Sequence, residues 1–163
     1  MNKSEKILLV VTFFVTAFAQ NSFAQDSATT SQSPQILSLY YNIKDALVAE
    51  NANTAASNAE AFVKAVNGID YKLISEGNIN TLVKDGTAIS QTKDLKEQRM
   101  HFANLSTNML AVAKAVKLTD QPVYEAFCPM KKAYWLSSDK TIKNPYFGTA
   151  MLTCGKVVET LNQ

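Results

Sequence analysis

Histidine occurs once in the 163 residues and cysteine twice, which leaves little room for a multi-histidine zinc enzyme. Glycine (5) and proline (4) are scarce, so collagen and low-complexity polymers are excluded. No sign of charge dominates: 16 basic and 14 acidic residues are spread along the chain and give a formal charge of +2. Without a basic block, nothing favours nucleic acid or an anionic membrane surface as partner. Phosphate loops, HExxH and GxSxG are all missing, and Cys-x25-Cys is far from the CxxC of a redox dithiol. A Cys–His nucleophile pair would have no third group to orient the imidazole, so the expected protein is not an enzyme. What is present is apolar material: 47% of residues are hydrophobic, enough to build one core in a chain of single-domain length.

The first 24 residues read as a signal peptide. Lys3 and Lys6 precede an apolar run from Ile7 to Ala19, and Ser22-Phe23-Ala24 supplies the small residues a signal peptidase reads. The run is shorter than the roughly 20 apolar residues of a spanning helix, so no membrane insertion is expected after cleavage. The expected location is periplasmic or secreted. Residues 25–33, rich in Ser, Thr and Gln, read as a flexible leader, and residues 34–163 as a single helical domain.

Within that domain, Ser33-Pro34 resembles a helix start. Ile36, Leu39, Tyr40, Ile43 and Leu47 follow at helical spacing to about Glu50. A second helix fits Asn53 to Asn67, with Ala55, Ala59, Phe62, Val63 and Val66 inward and Gly68 as a left-handed stop latched by Ile69. Leu73 to Gln91 forms a third helix weakened by Gly77 and Gly86. Asp94 and Glu97 open the fourth, whose seam is Phe102, Leu105, Met109, Val112 and Val116. Short loops between four helices predict an antiparallel four-helix bundle. After Pro122 the pattern shortens into a hairpin, Val123 to Met130 and Ala133 to Leu136. A turn at Asn144-Pro145-Tyr146-Phe147-Gly148 and a closing helix from Ala150 to Leu161 follow. Tyr124, Phe127, Tyr134, Trp135, Tyr146 and Phe147 crowd this C-terminal stretch, which is expected to cap the bundle as an aromatic lid.

The lid holds the candidate chemistry. On an extended segment Cys128 and Met130 share a face; on a helix Met151 and Cys154 do. Packed together, these segments would converge two thiols and two thioethers, a donor set that selects Cu(I), while thiolate alone also accepts Zn(II). His101, beside Met100, would add an imidazole if the lid folds over that end of the fourth helix. Two other readings stand beside a metal site: a Cys128–Cys154 disulfide, suited to an oxidising compartment, and two buried, inert thiols with methionine as core filler. The sequence carries no signal for oligomeric state.

Three strings point further. They are Tyr40-Tyr41-x-x-Lys44-Asp45-Ala46-Leu47-Val48, Gln98-Arg99-x-x-Phe102-x-x-Leu105-Ser106, and a long C-terminal one. The last runs Cys128-Pro129-Met130, Ala133-x-Trp135-Leu136-Ser137, Ile142-x-Asn144-Pro145-Tyr146-Phe147-Gly148 and Met151-Leu152-x-Cys154-Gly155. Together they resemble the bacterial domain-of-unknown-function family 3347, from about Pro34 to the C-terminus. Such domains are stand-alone periplasmic helical modules that also occur at the end of heavy-metal efflux adaptor subunits. The resemblance implies handling of copper or a related soft metal, with Cys128, Met130, Met151 and Cys154 as candidate ligands. It also implies a heavy-metal efflux adaptor as partner, joined in trans because no adaptor hairpin precedes this copy.

Overall fold

The computed structural model describes residues 24–162. The signal-peptide reading therefore falls outside the described residues except at Ala24, where the first helix begins. Four helices are followed by a small three-stranded antiparallel sheet, and the chain is mainly helical. The helices are α1 (Ala24–Val48), α2 (Ala52–Asn67), α3 (Glu76–Ser90) and α4 (Leu95–Ala115). The strands are β1 (Val123–Cys128), β2 (Ala133–Ser137) and β3 (Lys156–Leu161).

Helix α1 starts nine residues earlier than Ser33-Pro34 suggests, and the expected leader is helical backbone within it. Ser33 is buried inside the helix instead of capping it. Pro34, lacking an N–H, simply leaves one helical hydrogen bond unmade. The inward stripe is Ile36, Leu37, Tyr40, Ile43 and Leu47, with Leu39 at its edge. Asn51 caps α2 by accepting from the Thr54 N–H at 3.0 Å. At the other end Gly68 is right-handed (φ −89°), not left-handed. The last turn tightens instead: Gly68 N–H donates to the Ala65 carbonyl and Ile69 N–H to that of Val66, both at 3.1 Å. Ile69 is buried as the expected latch.

Asp70 folds the residues before α3 into a turn, its carbonyl accepting from the N–H groups of Leu73 and Ile74, and Ser75 caps the helix by accepting from the Asn78 N–H at 3.4 Å. Asp94 caps α4 by accepting from the N–H groups of Lys96 (2.7 Å) and Glu97 (3.0 Å). The Glu97 carboxylate accepts from Thr92 instead of closing the box on Asp94. Phe102, Leu105, Met109 and Val112 are buried as a seam. Each helix packs on the next along the chain, and α4 also carries the sheet through β2.

The sheet corrects one expectation. Residues 150–161 do not form a closing helix: Gly148–Met151 is a short 3-10 turn, and Lys156–Leu161 is a strand on the free edge of β1. The apolar positions from Ala150 to Leu161 fit helical spacing, but Gly155 at φ +143° stops a helix there. Val157, Val158 and Thr160, branched at Cβ, suit a strand. The order is β2-β1-β3, with Cys128 opposite Ala133 and Phe127 opposite Lys156.

Candidate thiol site

Cys128 is the last residue of β1 and Cys154 lies in the loop before β3, so the sheet itself brings the two together. Their sulfurs are 3.6 Å apart. That is a contact between two free thiols, well beyond the roughly 2.05 Å of a disulfide bond. Cys128 is fully buried and Cys154 is half-buried.

The surroundings make the pair unequal. Burial pushes the Cys128 thiol up, yet hydrogen bonds outweigh it and bring it below its ordinary value. The Lys131 N–H donates to Cys128 Sγ at 3.4 Å, and Asn144, the Cys154 thiol and the Met130 backbone add to this. Cys154 moves the opposite way: burial and the neighbouring Cys128 sulfur raise it. The two shifts are opposite in sign, so Cys128 is the more readily ionised of the pair. A lowered thiol offers a soft ion its thiolate more readily.

Asn144 fixes the Cys154 loop. It is fully buried, its Nδ2 donates to the Cys154 carbonyl at 2.6 Å, and its Oδ1 accepts from the Tyr146 N–H at 2.8 Å. In the sequence Asn144 reads as a turn residue, because nothing in spacing reveals a bond to the backbone ten residues on. Gly155 is held equally tightly. A Cβ there would lie 2.7 Å from Trp135 and 3.0 Å from the Phe127 carbonyl, at a φ that only glycine adopts freely. Behind the pair, Trp135 meets Tyr146 edge-on at 6.0 Å, and the Tyr146 hydroxyl donates to the Tyr134 carbonyl.

The methionines are placed differently from the expectation. The strand ends at Cys128, so Met130 sits in the hairpin turn, where its backbone hydrogen-bonds the thiols and the residue is 66% exposed. Met151 closes the 3-10 turn, where its carbonyl accepts from the Cys154 N–H at 3.0 Å and its side chain remains exposed. His101 is not brought to the thiols. It lies two residues from Arg99 on α4, which turns the side chains about 160° apart. Arg99 reaches the Pro145 carbonyl in the loop after β2, whereas His101 lies near enough to Asp85 on α3 to act on its carboxyl. Among the described residues no three His, Cys, Asp or Glu side chains are grouped to hold a metal ion.

The family model described as "Protein of unknown function (DUF3347)" matches residues 36–121, more than half of the chain. The chain belongs to the DUF3347 family. The matched stretch of this DUF3347 chain runs from α1 through α4 and stops before β1, so both cysteines lie beyond it. No curated protein and no solved structure matches it.

Proposed function

We propose that this DUF3347 protein binds a soft metal ion, Cu(I), through the thiolates of Cys128 and Cys154 and passes it on. The observation that carries this reading is the 3.6 Å approach of two unbonded sulfurs at the end of one sheet. The donor set fits a thiophilic ion of low coordination number: two sulfurs in contact, one of them held below its ordinary value by hydrogen bonds. It does not fit a structural zinc site, which takes four nitrogen or sulfur ligands. The remaining parts of the reading rest on the sequence. They are export to the periplasm, an antiparallel course for the four helices, delivery to a heavy-metal efflux adaptor in trans, and the absence of enzymatic turnover.

Titration of the reduced protein with Cu(I), against a chromophoric Cu(I) chelator, tests this. One ion is taken up per chain, Cys128→Ser abolishes uptake, and His101→Ala leaves it unchanged. Equal uptake by the Cys128→Ser protein would overturn the assignment.

A further inference from the structure

The same two sulfurs differ sharply in access, and this difference supports a second chemistry that owes nothing to a metal. Cys128 is fully enclosed, at the end of the central strand, with Asn144 and the Lys131 N–H around it. Cys154 lies in irregular backbone between a 3-10 turn and an edge strand, and solvent reaches it. A molecule arriving from outside therefore meets Cys154 and not Cys128. Once Cys154 has reacted, Cys128 is 3.6 Å away, close to the 3–3.5 Å separation from which well-oriented groups react. We propose that the pair is a thiol–disulfide exchange site for small organic disulfides, with Cys154 as entry thiol and Cys128 as resolving thiol.

The steps balance. Cys154 Sγ attacks one sulfur of the organic disulfide; the Cys154–sulfur bond forms, the disulfide bond breaks, and the first leaving thiolate takes up the Cys154 proton. Cys128 Sγ then attacks Cys154 Sγ. The protein disulfide forms, the mixed disulfide breaks, and the second leaving thiolate takes up the Cys128 proton. Two electrons pass from the cysteine pair to the reagent, which ends as two thiols. Held against each other, the cysteines complete the second step faster than a further reagent molecule can arrive, because an intramolecular reaction at this distance has an effective concentration far above that of any solute. The turn Pro129–Lys132 and the Asn144 clamp keep Cys128 out of reach throughout.

The test uses metal-free, reduced protein and an aromatic disulfide whose thiolate is coloured, so that failure of copper binding does not affect it. Wild type releases two coloured thiolates per chain, and its mass falls by two hydrogens with no adduct retained. Cys128→Ser releases one and keeps the aromatic group on Cys154. Cys154→Ser reacts at least 100-fold more slowly than wild type until denaturant exposes Cys128. Stable adduct on the wild-type chain, or a Cys154→Ser protein reacting as fast as wild type, would overturn the proposal. Even if a variant fails to fold, a stable adduct in the wild-type mass overturns the proposal.

Discussion

Tyr40 joins three elements through one oxygen. Its hydroxyl hydrogen-bonds Ser106 Oγ on α4 at 2.7 Å and accepts from the Leu136 N–H of β2 at 3.1 Å, while its ring stacks on Phe102 at 5.2 Å. Burial, foremost, pushes its ionisation well above the ordinary range, so it acts here as a neutral bridge. Tyr40→Phe keeps the stacking and strands two buried groups, and is expected to cost about 1–3 kcal/mol in urea denaturation. Asp85 behaves oppositely to most carboxylates. Burial raises it, and this outweighs the Asn108 hydrogen bond at 2.6 Å and the nearby Lys84 and His101 charges. A carboxyl raised on folding binds more protons in the native state, so its contribution is fully present below the unfolded value of about 4 and is lost as pH rises through the native one. Asp85→Asn should therefore remove a decline in stability with rising pH just above 4, measured as unfolding midpoints across that range. An unchanged pH profile would show that Asp85 does not titrate in this way.

The two glycines of α3 separate propensity from packing. Both weaken the helix by about 1 kcal/mol relative to alanine in sequence terms. Nothing lies within 4 Å of a Cβ at Gly77, whereas one at Gly86 would approach Val63 Cγ2 at 2.8 Å and Phe62 Cδ1 at 3.1 Å. Gly77→Ala is expected to stabilise by up to about 1 kcal/mol, and Gly86→Ala to destabilise by about 1–3 kcal/mol as α2 and α3 are forced apart. Thermal melts of the two variants should thus shift in opposite directions. The same contrast explains what was legible in the sequence. Elements whose partners are local could be read: the α4 cap at Asp94, its seam, and the β1–β2 hairpin. Those decided by distant contacts could not. The strand β3 exists because β1 offers a free edge, and the pattern from Ala150 to Leu161 fits a helix as well as a strand until Gly155 and that edge are known. Both cysteines were visible as candidates. Their unequal environments, made by Asn144 and two turn N–H groups, were not.

At the scale of the molecule, the thiol site rides on a sheet that Arg99 fastens to the helices. Its guanidinium donates to the Pro145 carbonyl in the loop after β2 (3.0 Å), to the Leu47 carbonyl at the end of α1 (3.2 Å) and to Glu50 (3.2 Å). Thr149 completes the contact by donating to Glu50 at 3.0 Å. The Thr149 hydrogen bond first, and then Arg99, holds the Glu50 carboxyl below its ordinary value. This contribution is present above the unfolded value near 4.3 and fades as pH falls through the native one. Arg99→Ala frees the Pro145 end of the lid, and should weaken Cu(I) uptake and expose Cys128 to thiol reagents while the helical circular dichroism stays near that of wild type. Retained copper affinity with a protected Cys128 would show that the lid needs no such tie. Cu(I) binding at this site requires the two thiol sulfurs, 3.6 Å apart, to meet one ion. X-ray absorption at the copper edge of the Cu(I)-loaded, reduced protein reads this directly: we expect a shell of sulfur scatterers, and no bound copper in Cys128→Ser. A shell of nitrogen or oxygen, unchanged in that variant, would contradict it.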